Sequence, residues 1–257
     1  MIKYVFDDRT GRADIILDRP EKLNALTVTM WRELASYFRD VSDNEAVRVV
    51  VLSGSGRAFC VGADIAEFET TRAGKAQALN YAETIYSAVT AIEQCPHPVM
   101  AAIRGHCVGG GVEIAASCDI RIAAEESQFG VPIKRLGLTV DYPELMALCR
   151  LVGPSTTLEI LFEGRIFDAD EALAKGLINR IVKLDGFEAE IDATAKRIAE
   201  GAPLVARWHK RMIRKIEGEL DISDNDRRAP FNVFDSEDYR IGTQAFINKT
   251  APVFLGR

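Results

Sequence analysis

One acidic residue stands alone in an apolar segment directly after a run of glycines. Glu113 follows the glycines at 109–111 and belongs to the short apolar run VEIAAS at 112–117. Apolar surroundings desolvate a carboxyl group and raise its pKa, which suits it to general acid or base chemistry. A Glu in the first turn of a helix is also favoured by the helix dipole. The position of Glu113 is therefore compatible with a catalytic role and with a structural one.

Two glycine-rich segments follow apolar strands and supply backbone N–H groups that no strand partner takes up. SGSGRAFCVGADI (53–65) follows RVVVL, and RGHCVGGGVEIAASCD (104–119) follows PVMAAI. Such turns bind anions or polarised carbonyl groups in many α/β proteins. The spacing excludes a dinucleotide fingerprint, since Ile114 takes the place of the third glycine, and the chain lacks GxxxxGK[ST], HExxH and GxSxG. A metal centre, a P-loop and a serine triad are not indicated.

A second acid lies in the segment GLTVDYPELM at 137–146. Asp141 precedes Tyr142, Pro143 and Glu144, and this DYPE pattern predicts a capping box with Asp141 as the N-cap and Glu144 as its N3 partner. A capping carboxylate can also face a site, so the pattern leaves a catalytic role for Asp141 open.

The order of elements indicates an α/β fold. IKYVF (2–6) and RADIILD (12–18) predict a β-hairpin, and a helix capped by Thr27 precedes the buried strand RVVVLSG (48–54). Helices then alternate with strands up to residue 124. From Tyr142 onward the sequence predicts mostly helix, with breaks at 153–155, 167–170, 183–186 and 201–203.

Composition and charge narrow the class of protein. The 257 residues carry a net charge of −6, which argues against a nucleic-acid-binding protein. Five cysteines without CxxC spacing predict reduced packing thiols in a cytoplasmic protein. We expect no export signal and no membrane span. The basic residues between 207 and 215 alternate with apolar ones at helical spacing, which favours the solvated face of an amphipathic helix over a phosphate clamp.

Several segments, in this order, resemble the crotonase superfamily of enoyl-CoA hydratases and isomerases. They are LDRPEKLNAL (17–26), GRAFCVGADI (56–65), AAIRGHCVGGGVEIAASCDIRIAAE (101–125), SQFGVPIKRLGL (127–138) and SEDYRIGTQAFINKTAPVF (236–254). The resemblance implies an α/β fold: a crotonase-like spiral of ββα units at 1–200, followed by a helical C-terminal oligomerisation region at 201–257. It also implies a homotrimer or a hexamer made of two trimers. The substrate would be an acyl-CoA thioester, with no separate cofactor, because coenzyme A is part of the substrate.

The resemblance also implies roles for particular residues. Ala63 and Gly110 would hold the thioester oxygen through their backbone N–H groups, and Glu113 would act as acid or base. The residues expected to contact coenzyme A or substrate are Lys22, Leu23, Ala25, Asp64, Ile65, Ala66, Phe246 and Lys249. The last two match contacts that can be made to the coenzyme A of a neighbouring subunit.

The chain departs from the hydratase pattern at one position. Hydratases of this family use two glutamates, and Ile133 stands where the second would be. Asp141 resembles a functional aspartate of dienoyl-CoA isomerases and 4-chlorobenzoyl-CoA dehalogenases, although the tryptophan that the dehalogenases carry at the Ile133 position is absent. Enoyl-CoA hydration or double-bond isomerisation is the leading expectation. The alternatives are thioester hydrolysis, cleavage of a carbon–carbon bond, and a catalytically silent protein that binds CoA esters.

Overall fold

A computed structural model describes residues 1–218 and 222–257, and the strands within these residues form two sheets. The larger sheet has the order β1-β2-β3-β5-β7-β10, and the smaller has the order β4-β6-β8-β9. The strands are β1 (Ile2–Asp7), β2 (Arg12–Leu17), β3 (Val49–Gly54), β4 (Ala58–Cys60), β5 (Val99–Ile103), β6 (His106–Val108), β7 (Ile120–Ala124), β8 (Gln128–Gly130), β9 (Phe167–Asp168) and β10 (Arg180–Val182).

The helices separate these strands and then fill the C-terminal part of the chain. They are α1 (Val28–Asp43), α2 (Phe68–Thr71), α3 (Lys75–Gln94), α4 (Gly110–Ser117), α5 (Tyr142–Glu163), α6 (Ala169–Ala174), α7 (Phe187–Ala199), α8 (Pro203–Gly218), α9 (Asp224–Arg228) and α10 (Glu237–Asn248). This arrangement confirms the α/β prediction and the helical C-terminal region. The predicted region 201–257 includes residues 219–221, which lie outside the described residues.

The larger sheet is buried on both faces, as the continuous apolar run of β3 predicts. Val50 and Leu52 point into the main core, which includes the apolar faces of α1 and α3. Val49 and Val51 point to the opposite side, where they pack with Phe187 and other apolar residues of α7. β1 and β2 pair antiparallel, and the other pairs in this sheet are parallel. The predicted hairpin and buried strand are confirmed.

The smaller sheet fixes the two glycine-rich loops beside each other. β4 and β6 pair in parallel, so their carboxyl ends lie at the same edge of the sheet. The loop after β4 contains Gly62 and Ala63, and the loop after β6 contains Gly109 and leads into α4. The two loops therefore meet at one end of the sheet, where their backbones are in contact.

α5 is divided into two helical segments at the predicted break. Gly153, directly before Pro154, has a non-helical φ of +78° and ψ of 161°, so the predicted break at 153–155 is confirmed as a kink between the two segments. α5 is also long and apolar enough to cross a membrane by length and composition, a test that core helices of soluble proteins pass as well. α5 packs against α4, and its first turn lines the cavity described below.

α8 packs with part of its basic face toward the core, so the prediction of a solvated basic face is wrong for three residues. Arg207 donates to the carbonyl oxygen of Glu45 at 2.7 Å. Lys210 and Arg214 both pair with Asp119, at 2.7 and 3.2 Å. These bonds pair the carbonyl oxygen of Glu45 and the carboxylate of Asp119, and they attach α8 to the rest of the protein.

The cysteines are free thiols, as predicted. Cys60, Cys95, Cys107 and Cys118 are buried, and Cys149 is partly buried. Burial raises the pKa of Cys60 to about 12, which keeps this thiol protonated at neutral pH.

Candidate active site

A cavity of about 660 Å³ opens where the two glycine-rich loops meet. Its walls come from both loops, from the α2–α3 segment, from the turn at 132–140 and from the first turn of α5. The residues that carry the argument below are Trp31, Gly62, Ala63, Phe68, Arg72, Tyr81, Gly110, Glu113, Ile133, Asp141 and Glu144, and all of them line this cavity. A cavity of this size accommodates a small organic molecule.

Two backbone N–H groups at the cavity have no hydrogen-bond acceptor within the described part of the chain. The neighbours of Ala63 are engaged with Leu26: the N–H of Leu26 donates to Gly62 at 2.7 Å, and the N–H of Asp64 donates to Leu26 at 2.8 Å. This parallel bridge leaves the N–H of Ala63 pointing away from Leu26. Gly110 is the first residue of α4, where an N–H has no partner inside the helix. Both groups are therefore available to an acceptor in the cavity.

Close approach of the two loops explains the glycine at position 62. Gly62 has a φ of +93°, and a Cβ placed there would lie 3.0 Å from the backbone nitrogen of Gly110. At Gly110 itself, a Cβ would lie 3.3 Å from the ring of Trp31. Larger side chains would crowd the space between the loops and cover the N–H of Gly110.

Glu113 lies one turn into α4 and faces the same cavity. Burial raises the pKa of its carboxyl group to about 8, with a further contribution from the charge of Glu144, while Arg72 acts in the opposite direction. At neutral pH the group is mostly protonated. It can donate a proton, and it can accept one with little cost once ionised, because its pKa lies close to the working pH.

Glu144 is an acid of the cavity that the sequence analysis assigned to a helix cap. The structure confirms Asp141 as the N-cap of α5, but the bond runs from the N–H of Tyr142 to Oδ1 of Asp141 at 2.7 Å. The reciprocal capping box is absent from the described contacts of this helix, so that prediction is wrong. Glu144 is instead buried at the cavity wall, and Asp141 is exposed at the cavity margin.

A cation shares the cavity with these acids. The guanidinium of Arg72 lies 4.5 Å from the ring centres of both Phe68 and Tyr81. The hydroxyl of Tyr81 also accepts a hydrogen bond from Nε1 of Trp31 at 3.1 Å. Arg72 lowers the pKa of Glu113 and of Glu144. Sequence analysis missed Arg72 because its segment, ETTRAG, carries no motif or periodicity.

Ile133 brings a hydrocarbon surface to the site. It follows Pro132 in a short 3-10 turn, lines the cavity and packs against the main core. A branched hydrocarbon neither binds water nor carries a proton, so this part of the wall can only shape the space.

The six residues between 22 and 66 that were expected to contact coenzyme A do not all line the cavity. Ile65 lines the cavity. Asp64 pairs with Arg19 at 2.6 Å and caps the turn that contains Ala66, which gives it a structural role in the loop. Ala25 is buried, Lys22 is exposed and Leu23 is intermediate, with a φ of +51°.

The two C-terminal residues of that prediction do not line this cavity. Phe246, on α10, is 87% exposed. Lys249 directly follows α10 and has a left-handed backbone conformation. Their predicted contact with coenzyme A, here or in a neighbouring subunit, stays a prediction.

The fold and the cavity define an α/β protein with a small-molecule site where parallel strands end in glycine-rich loops. The sequence model of the enoyl-CoA hydratase/isomerase family matches residues 8–257. This chain belongs to that family, which confirms the resemblance to the crotonase superfamily.

Individual relatives agree with this assignment over nearly their whole length. A crotonyl-CoA hydratase of Syntrophomonas wolfei is 31% identical over 249 residues, which are 95% of each chain. The solved structure of an enoyl-CoA hydratase/carnithine racemase from Magnetospirillum magneticum is 46% identical, with a TM-score of 0.97 over 100% of this chain and 96% of that one. An enoyl-CoA hydratase structure from Bacillus anthracis is 30% identical, with a TM-score of 0.90 over 100% of this chain and 99% of that one.

Proposed function

We propose that this protein moves the double bond of an enoyl-CoA thioester by transferring a proton at the carbon next to the thioester. One observation carries the proposal: a carboxyl group with a pKa of about 8, on Glu113, shares a cavity with the unpaired N–H groups of Ala63 and Gly110. An acid or base beside two backbone donors is the combination that enolate chemistry requires.

The two N–H groups act on the charge that develops during the reaction. Removal of a proton from C2 places negative charge on the thioester oxygen. Donors that are already fixed in the backbone need no reorganisation to stabilise this oxyanion, and each is worth about 3 to 4 kcal/mol in enzymes where one has been removed. We assign this role to Ala63 and Gly110.

The hydrocarbon side chain of Ile133 favours isomerisation over hydration. Hydration requires polar groups that hold and activate a water molecule, and Ile133 supplies hydrocarbon to this part of the cavity. Isomerisation requires only that a proton leave C2 and another reach C4. Asp141, the predicted second acid–base residue, lies at the margin of the cavity, and its participation stays a prediction.

Hydration of an enoyl-CoA is the second candidate. It is supported by the names of two relatives: the crotonyl-CoA hydratase above, and a short-chain-enoyl-CoA hydratase of Clostridium acetobutylicum that is 30% identical over 96% of each chain. Thioester hydrolysis and carbon–carbon bond cleavage are further alternatives, because the N–H groups of Ala63 and Gly110 would stabilise the oxyanion of either reaction as well.

We also propose that the protein is a cytoplasmic homotrimer or a hexamer made of two trimers. Exposed apolar residues on and after α10 support an association surface, among them Phe246, Ile247 and Val253. Light scattering coupled to size-exclusion chromatography measures the mass of the assembly directly.

The test offers 3-enoyl-CoA, crotonyl-CoA and 2,4-dienoyl-CoA to the protein and to Glu113→Gln. We expect conversion of 3-enoyl-CoA to 2-enoyl-CoA, and a fall of at least about 100-fold in the variant, since a positioned acid or base contributes about 10² to 10⁴. Glu83→Gln, an exposed substitution on α3, is the matched control. Unchanged turnover in Glu113→Gln contradicts the assignment, and release of free coenzyme A by the unmodified protein would redirect it to hydrolysis.

A further inference from the structure

Glu144 is a buried acid without a structural partner that explains it. Its exposure is 6%, and its Oε2 atom is buried with no hydrogen-bond partner within the described residues. The carboxyl group otherwise contacts its own backbone N–H. Buried carboxyl groups are normally paired or fully hydrogen-bonded, because an unpartnered one destabilises the fold. An unpartnered acid at a cavity is therefore a candidate for chemistry.

The same cavity brings Glu144 and Glu113 together. Glu113 extends from the first turn of α4, Glu144 extends from the first turn of α5, and the two helices pack against each other. Both residues line the wall. The charge on Glu144 opposes ionisation of Glu113, so the two carboxyl groups are close enough to influence each other.

The two carboxyl groups have unequal surroundings. Burial raises the pKa of both groups, and ionised Glu144 further raises the pKa of Glu113 to about 8. The charge of Arg72 acts in the opposite direction on both groups and favours their ionised forms. The charge of Asp141 opposes the ionisation of Glu144. Unequal surroundings give the two carboxyl groups of a pair different pKa values, so that one can act as the acid and the other as the base.

We propose that Glu144 is the second acid–base residue of this site, acting with Glu113 on the bound enoyl chain. The inference rests on the proposed function. Ionised Glu144 takes a proton from C2, and the electrons of that C–H bond form the C1–C2 double bond of the dienolate. Protonated Glu113 then gives its proton to C4, as the electrons return from the thioester oxygen and leave a C2–C3 double bond.

This step balances without any other reactant. One proton leaves the substrate and one enters it, so the pair carries one proton before and after turnover. The proton has changed sides, and its return from Glu144 to Glu113 completes the cycle. No metal, oxidant or water is consumed.

The experiment compares Glu144→Gln and Glu144→Asp with the unmodified protein on 3-enoyl-CoA. We expect a fall of at least about 100-fold in kcat for the Gln form. The Asp form keeps a carboxyl group and should retain clearly more activity than the Gln form. The dissociation constant of a saturated acyl-CoA should change less than threefold in both, because the role of Glu144 is in proton transfer.

The pH profile separates a catalytic role from a structural one. The pair predicts a bell-shaped dependence of kcat/KM, since one member must be ionised and the other protonated. Glu144→Gln should lose the limb on the acid side. A folded Glu144→Gln form whose reduced activity keeps the acid limb would show a structural role, and kcat equal to that of the unmodified protein would also overturn the inference. If the unmodified protein converts no enoyl-CoA, the proposed function fails instead.

Discussion

The raised pKa of Glu113 makes the stability of the protein depend on pH in a way that one substitution should abolish. The pKa is about 8 in the folded protein, against an ordinary value of 4.5. Between these two pH values the unfolded chain releases the proton while the folded protein retains it. Stability is therefore fully present below pH 4.5, falls as the pH rises and levels off above pH 8.

The magnitude follows from the difference between the two pKa values. Each pKa unit corresponds to about 1.4 kcal/mol. The loss of stability between pH 4.5 and 8 is thus at most about 5 kcal/mol, a large part of the free energy of unfolding of an ordinary domain. Glu113→Gln keeps the shape of the side chain and removes its charge, so the variant should lack this loss.

Urea unfolding at pH 5, 6, 7, 8 and 9 measures this difference, at one protein concentration because the stability of an oligomer depends on it. We expect the variant to gain stability over the unmodified protein by several kcal/mol between pH 5 and 8. Glu83→Gln should follow the unmodified protein throughout. A gap between the two proteins that stays within about 1 kcal/mol at every pH would show that the pKa of Glu113 is not raised in the folded protein.

Three further substitutions test other parts of the site. Gly62→Ala should lower kcat/KM by at least about 100-fold, since its Cβ would meet a predicted oxyanion donor, while Gly176→Ala, with similar backbone geometry and open space around it, should leave kcat/KM unchanged. Ile133→Glu should raise hydration of crotonyl-CoA relative to isomerisation, measured as 3-hydroxyacyl-CoA formed, whereas Ile133→Gln should not. Asp141→Asn should move the acid limb of the pH profile to lower pH, because removal of its charge eases ionisation of Glu144.

Each of these substitutions has an opposite outcome that decides against its premise. Full activity of Gly62→Ala would mean that the adjoining N–H group does not bind the oxyanion. An unchanged product ratio in Ile133→Glu would show that the side chain at 133 does not decide between isomerisation and hydration. A fall of about 100-fold at all pH values in Asp141→Asn, without loss of stability, would show that Asp141 takes part in the chemistry directly.

The sequence predicted those elements whose local pattern is strong. The hairpin of the first two strands, the apolar run of β3 and the cap at Thr27 each depend on residues close in sequence, and each is present. The smaller sheet was not predicted, because its strands have only two or three residues and too few positions to show a period. The orientation of α8 was also wrong, since Arg207 and Lys210 bind carbonyl groups that only the tertiary fold brings near.

Only the part of the site that has a local sequence pattern could be predicted. Glu113 is conspicuous in sequence as a lone acid after glycines. Glu144 is not, because D-Y-P-E fits a helix start and its buried position depends on how α5 packs against α4. Arg72 acquires its position from the rings of Phe68 and Tyr81, a contact that no local pattern indicates.

The measurement that tests the account most directly is the structure of this protein with a saturated acyl-CoA bound, a ligand that cannot isomerise. The account predicts that the thioester oxygen lies about 3 Å from the backbone nitrogens of both Ala63 and Gly110. It also predicts that the acyl chain enters the cavity, with C2 to C4 within reach of the carboxyl groups of Glu113 and Glu144. A thioester oxygen bound elsewhere, or an acyl chain outside the cavity, would contradict it.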